Sequence, residues 1–411
     1  MNEYDLITLP NGIRVVHKHV THTKIAHCGI MLDIGSRDEN PDQQGLAHFW
    51  EHMAFKGTHK RKAFHIINRL ESLGGELNAY TTKEKICFYA STLDIHFDKS
   101  VELLTDITFN SVFPEKQIEK EKQVILEEMS MYQDSPEDAI QDEMDELIFA
   151  GHQLGNNILG NTDSVKSFQK PHFLQFLSEN IDTSKIVFSS VGNVSIKKVV
   201  KIAEKYLGHI SNITSEKKRL PVNDYSTCAQ NKDKDIVQSH CAIGKRAFNI
   251  YEKERIPFFV LNNILGGQSM NSRLNLTLRE KYGLVYGIES SYQPYTDTGM
   301  FSIFYGTEPD SLDKSMELTF KEIRKLQDKV LGTSQLQTAK NQIKGQLAMS
   351  EENYNSIMLM MAKSLLDLNR IQSLDSVFEK IDRITGVELQ DLAVRELQRD
   401  DMSILTYTPK K

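Results

Sequence analysis

His48-Phe49-Trp50-Glu51-His52 sets two histidines four residues apart, with a glutamate directly before the second. On a helix, positions i and i+4 share a face, so both imidazoles reach one metal ion. Glu51 then sits beside that ion, placed to handle the proton of a water. The order is HxxEH, the reverse of HExxH, and it is a signature of zinc peptidases. Leu46, Phe49, Trp50 and Met53 carry a helical apolar period through the same segment, which predicts one packed face and one chemical face. Core packing also accounts for Trp50, the lone tryptophan.

Two histidines leave a tetrahedral zinc short of a third protein ligand. After Pro114 a charged helix is predicted over 116–132, and within it Glu121 and Glu128 lie seven residues apart, two turns along one side. Around these helices the pattern alternates. Positions 6–20, with a Pro10-Asn11-Gly12 turn, and 26–34 read as strands, 63–73 as a helix closed by Gly74-Gly75, 76–92 as strand and 98–109 as helix. The class is therefore mixed α/β. His17, His19 and His22 also alternate, but no acid or cysteine has ligand spacing there, and they are expected on an exposed strand face.

The polar stretch 211–224 contains Pro221, lacks apolar periodicity and reads as an interdomain linker. On either side the chain repeats itself. Phe88-Tyr89-Ala90 followed by Asp98-Lys99-Ser100 matches Phe304-Tyr305-Gly306 followed by Asp313-Lys314-Ser315, at offsets of 216 and 215. Two domains of similar topology are expected, 1–212 and 225–411, joined by 213–224. At an offset of 210, Phe258-Phe259-Val260-Leu261-Asn262 occupies the HxxEH register. Phe258, Leu261 and Asn262 replace His48, Glu51 and His52, so the second domain has no such metal site and offers a Gly266-Gly267 turn instead.

The 411 residues carry a net charge of −7, with 26% charged and 39% hydrophobic positions. This is ordinary globular usage and argues against nucleic acid or an anionic membrane as the main partner. Cys28, Cys87, Cys228 and Cys241 are scattered without a CxxC pair, as reduced thiols of a reducing compartment would be. Met1-Asn2-Glu3-Tyr4-Asp5 starts with two acids and no apolar segment follows, so a cytoplasmic location is expected.

Together these residues resemble the inverzincins of the pitrilysin group, which include mitochondrial processing peptidase and insulin-degrading enzyme. That group follows HxxEH with an acid about 76 residues on and another acid seven before it; His52 to Glu128 is 76, and Glu121 is seven before Glu128. The resemblance implies His48, His52 and Glu128 as ligands of Zn2+, Glu51 as general base and Glu121 as an acid orienting a ligand. It extends through His52-Met53-Ala54-Phe55-Lys56-Gly57-Thr58, where Phe55 contributes to an S1′ pocket. In the second half, Leu278-Arg279-Glu280-Lys281-Tyr282-Gly283-Leu284-Val285-Tyr286 is similar to the group's Arg…Tyr signature. Arg279 and Tyr286 are then donors to substrate backbone and oxyanion, which suits a guanidinium and a phenol.

The resemblance further implies two homologous pitrilysin-like domains, each a sheet with helices on one face, and a zinc endopeptidase acting on extended peptides or unfolded segments. Asn78, Ala79 and Tyr80 fall on the substrate-binding edge strand. Asp138 and Asp142, 10 and 14 residues after Glu128, match acids that in mitochondrial processing peptidase hold a basic side chain near the cut. Because the Arg/Tyr pair faces a zinc domain in relatives, a homodimer with sites completed in trans is expected. A non-catalytic or heteromeric subunit of the same group is the alternative. Such members usually lose part of HxxEH or the downstream acid, and this chain keeps every one.

Overall fold

Two sheets share one strand order. In the computed structural model, which describes residues 4–410, the first contains β1 (Asp5–Thr8), β2 (Arg14–His19), β3 (Ile25–Leu32), β4 (Glu76–Thr81), β5 (Ile86–Leu93) and β6 (Ile186–Gly192). The second contains β7 (Ala229–Lys234), β8 (Ser239–Ala247), β9 (Val285–Pro294), β10 (Gly299–Thr307) and β11 (Ser403–Pro409). Spatially, β2-β6-β3-β5-β4 in one becomes β7-β11-β8-β10-β9 in the other, with β1 added at the edge of the first. In each, the first pair is parallel and all other neighbours in that shared order are antiparallel. The two sheets thus repeat one topology. Of the start Met1-Asn2-Glu3-Tyr4-Asp5, positions 1–3 lie outside the described residues.

The strand predicted over 76–92 is a hairpin, β4 turning into β5 where Thr82 N donates to Lys85 O at 2.8 Å. Three successive charges, Lys83-Glu84-Lys85, break the alternation there.

Helices in the first half are α1 (Leu46–Ala54), α2 (Ala63–Glu71), α3 (Phe97–Phe109), α4 (Glu115–Gln133), α5 (Pro136–Ile148), α6 (Thr162–Ser167), α7 (Lys170–Asn180) and α8 (Ile196–Tyr206). The second half has α9 (Arg255–Gly266), α10 (Leu312–Asp328), α11 (Thr333–Ser350), α12 (Tyr354–Leu368), α13 (Leu374–Arg383) and α14 (Gly386–Glu396).

These elements form two compact units. One comprises the chain up to Met129, Asn156–Leu220 and Met349–Ile371; the other comprises Ser130–Gly155, Pro221–Ala348 and the chain from Gln372 on. The units differ from a linear split at 213–224, because α12 packs on the first sheet and α5 on the second. Helices consequently cover both faces of each sheet, not one. On the first sheet, α1, α3, α7 and α8 share a core with Val15, Ile30 and Phe88. The opposite face buries Val16, Met31 and Val187 under Ile357, Met358 and Met361 of α12. On the second, Ile140, Met144 and Ile148 of α5 cover Ala242, Leu405 and Tyr407.

A glycine in each sheet admits the crossing helix. A Cβ on Gly29 of β3 would lie 3.0 Å from Met358 Sδ, and one on Gly244 of β8 would lie 3.1 Å from Met144 Cε. Bare backbone at the middle of each sheet is what lets a methionine seat there.

The connecting stretch 211–224 has neither helix nor strand, yet its first part is anchored. Arg219 is held by Asp38 at 2.9 Å and Asp33 at 3.1 Å, deep enough that its side chain is 15% exposed.

Candidate metal centre

Helix α1 starts at Gly45, whose φ of +92° is left-handed, and a Cβ there would meet the Leu159 carbonyl oxygen at 2.4 Å. Only glycine meets both conditions. The buried Glu39 carboxylate accepts from Gly45 N at 2.9 Å and Ala47 N at 2.8 Å, satisfying donors that a helix start leaves open. Burial pushes the Glu39 carboxyl up to about 8, against the pull of those two donors.

A carboxyl raised on folding favours the folded state below its unfolded range near 4.5, and that contribution is lost as pH climbs through about 8. We expect wild-type stability to fall across this window at up to about 1.4 kcal/mol per pH unit relative to Glu39→Gln, whose amide does not titrate. Denaturant melts of both proteins at each end of the window test this. Parallel pH profiles would contradict it.

Phe49, Trp50 and Met53 are fully buried, with Phe49 edge-on to Phe173 at 5.1 Å and Trp50 to Phe88 at 5.7 Å. That packing turns His48, Glu51 and His52 to the other face. The histidine rings lie 4.5 Å apart. From α4, Glu128 brings Oε2 to 3.6 Å from His52 Nε2 and 3.9 Å from His48 Nε2. One donor atom from each of the three falls within 4.8 Å of the others.

The donors fit a cation. Burial, then the neighbouring His52, pushes the His48 imidazole down to about 3, so it is neutral and keeps a lone pair at ordinary pH. Its Nδ1 is buried without a hydrogen-bond partner. His52 Nδ1 lies 3.0 Å from Glu121 Oε1, so the proton sits on Nδ1 and Nε2, on the Glu128 side, keeps a lone pair for a cation. Lys56 holds the other Glu121 oxygen at 2.8 Å. Burial raises the Glu121 carboxyl, but the hydrogen bonds from His52 and Lys56 outweigh it and hold it below the usual range. Two nitrogens and a carboxylate oxygen with an orienting acid behind them are a zinc-type ligand set.

Glu51 is half-buried. Burial pushes its carboxyl up, against a hydrogen bond from Thr81, whose Oγ1 donates to Glu51 Oε2 at 2.5 Å. Asn78, Ala79 and Tyr80 lie on β4, the terminal strand of its sheet. Phe55 follows α1 directly, its ring 6.4 Å from Phe88.

The remaining candidates belong to the other unit. Arg279 sits in a π-helical turn, Asn275–Lys281, with its guanidinium 5.7 Å from the Tyr286 ring. Tyr286, on the edge strand β9, is 91% exposed. On α5, Asp138 is exposed, while Asp142 lines a cavity of about 290 Å³ with Asp145 and Glu289. Phe258, Leu261 and Asn262 are buried on α9, where the second unit has no metal ligands in that register.

One expectation is corrected. His17 is 1% exposed and bonded to Ser190 Oγ and the Val194 carbonyl, so it belongs to the interior, whereas His19 and His22 are exposed. Glu39, Lys56 and Thr81 were not singled out from the sequence. Lys56, four residues after His52, shares its side of the chain and carried a signal of a kind; the other two did not.

Residues 14–162 match the family described as Insulinase (Peptidase family M16), and 167–343 match the Peptidase M16 inactive domain. The uncharacterized zinc protease YmxG of Bacillus subtilis is 32% identical over 402 residues, covering 98% of this chain and 97% of that protein. An uncharacterized zinc protease of Rickettsia bellii is 31% identical, covering 95% of this chain and 94% of the relative. The fold is shared with a crystal structure of a protease from Helicobacter pylori, with a TM-score of 0.90, 21% identity and 99% of each chain covered. With both halves matched and relatives aligned along nearly their whole length, this chain belongs to peptidase family M16.

Proposed function

We propose that this protein is a zinc-dependent endopeptidase acting on extended peptides. The observation that carries it is the His48–His52–Glu128 cluster with Glu51 on the same helix face. His48, His52 and Glu128 would hold the ion. When bound, zinc supplies Lewis-acid chemistry, polarising a carbonyl and lowering the pKa of water to about 7. Glu51 takes a proton from the attacking water as its oxygen bonds to the scissile carbon, and passes it to the amide nitrogen as the C–N bond breaks. Glu121 keeps His52 in the tautomer that presents Nε2. The terminal strand β4 has backbone groups open to an added strand, which favours an extended substrate.

Arg279 and Tyr286 supply donors for the oxyanion from a second copy of the chain, in a homodimer whose sites are completed in trans. The phenol of Tyr286, 91% exposed, supports this. Asp138 and Asp142 would select a basic side chain near the cut. The first experiment measures zinc content and cleavage of quenched peptides with and without a chelator. Stoichiometric zinc and chelator-sensitive cleavage are expected; a zinc-loaded chain that cleaves nothing is instead a non-catalytic member. Mixing Glu51→Gln chains with Arg279→Ala chains then tests the dimer, because trans completion restores one intact site and sites complete in one chain restore none.

A further inference from the structure

One polar partner of Glu51 lies outside the His48–His52–Glu128 cluster. Thr81 is the last residue of β4, and its Oγ1 donates to Glu51 Oε2 at 2.5 Å. Strand alternation fixes this direction. Leu77 and Ala79 pack into the core that holds α1, and Tyr80 packs into the core under α12, so Thr81 shares the α1 side with Ala79. Thr82, next in the chain, has its own side chain engaged in the turn, where its Oγ1 bonds Lys85. The backbone position of Thr81 is therefore held from both sides, by ladder pairing to Ile86 and by the turn that follows.

We propose that Thr81 is a positioning residue for the general base, occupying one oxygen of Glu51 and leaving Oε1 as the oxygen that meets the proton. A carboxylate on a single-bonded stem rotates freely; a short charge-assisted hydrogen bond from a rigid strand stops that rotation. The same strand is the sheet edge, so the group that aims Glu51 sits on the element proposed to receive the peptide. This inference rests on the peptidase reading.

The test compares Thr81→Val, which keeps the shape and removes the donor, with Thr81→Ser, which keeps the donor. Steady-state cleavage of a quenched peptide, zinc stoichiometry and thermal melting of the metal-free protein are measured on each. Thr81→Val should lose kcat by about 10- to 100-fold, as small misplacements of reacting groups do, with KM within about twofold. Zinc content and melting should match wild type, and Thr81→Ser should recover most of kcat. If the valine variant fails to fold, Thr81→Ala gives the same comparison with serine. Wild-type kcat in the donor-less variant overturns the inference. So does a loss accompanied by equal loss of zinc or stability that serine does not restore. Absence of any cleavage by the zinc-loaded wild type overturns the peptidase reading itself, so the two failures are told apart.

Discussion

Glu51→Gln should cut peptide cleavage by at least about 100-fold while leaving zinc in place. The amide keeps the size of the side chain and can still engage the Thr81 hydroxyl, now 2.5 Å from Oε2. What it loses is the ability to accept and return a proton. General base catalysis is worth about 10²- to 10⁴-fold, so kcat should fall by that factor with KM little changed. Zinc stoichiometry should stay at the wild-type value, because Glu51 contributes no atom to the three-residue cluster. A Glu51→Gln protein that cleaves at more than a tenth of the wild-type rate would remove Glu51 from the mechanism.

The contrast with neighbouring acids makes this outcome specific. Glu128→Gln removes the anionic ligand and should lower zinc content and activity together. Glu121→Gln leaves all three ligands but disturbs the partner of His52 Nδ1, 3.0 Å away, and strips a carboxylate from Lys56. Loss of such an outer partner typically costs about 10- to 100-fold in metal affinity. Activity in that variant should therefore return with excess zinc, whereas Glu51→Gln does not respond to it. Three acids on two helices are thus separated by what added metal can restore.

The candidate cluster was legible in the sequence because its logic is local. His48 and His52 are one turn apart and Glu121 and Glu128 two turns apart, so helical period alone puts each pair on one side. The match of Phe88-Tyr89-Ala90 with Phe304-Tyr305-Gly306 is one residue out of register, since Phe88 packs in the core with α1 and Phe304 in the core with α5; the repeat lies in the strand order of the two sheets. The exchange of α5 and α12 was not legible. An amphipathic pattern says that a face is buried, not which sheet buries it, and Gly29 and Gly244 acquire meaning only when Met358 and Met144 arrive. Arg219 follows Lys217 and Lys218 and reads as part of a solvated basic run; its partners Asp33 and Asp38 lie about 180 positions away. Glu39 acts through two hydrogen bonds from the start of α1 and Thr81 through one to Glu51, and neither leaves a periodic trace. His17 shows the same limit, since its interior place depends on Ser190 and Val194 of a distant segment.

The largest expected effect on stability lies where the exchanged helix meets the β4–β5 turn. Lys85 is nearly buried, its Nζ 2.8 Å from Asp33 Oδ1 and 2.8 Å from Asp367 Oδ1 on α12. Burial opposes its charge, but Asp33 and Asp367 together raise its pKa above the ordinary lysine value, so it is held as a cation. Lys85→Met removes that cation and strands two carboxylates with little water. Asp33 retains Arg219 at 3.1 Å and Asp367 retains Lys363 at 2.5 Å, so the loss is softened but not abolished. Breaking one side of a buried charge group costs about 3–5 kcal/mol, and we expect Lys85→Met to fall in that range by denaturant melting. Adding Asp367→Leu to it should recover part of the loss, because the second change removes an anion that the first left unpaired. Hydrogen exchange gives the location: α12 amides should lose protection in Lys85→Met before those of β3 and β6, since α12 has its apolar contacts but no longer its charged anchor. A Lys85→Met protein within about 1 kcal/mol of wild type would mean that packing of Met358 and Met361 alone holds α12 on the sheet.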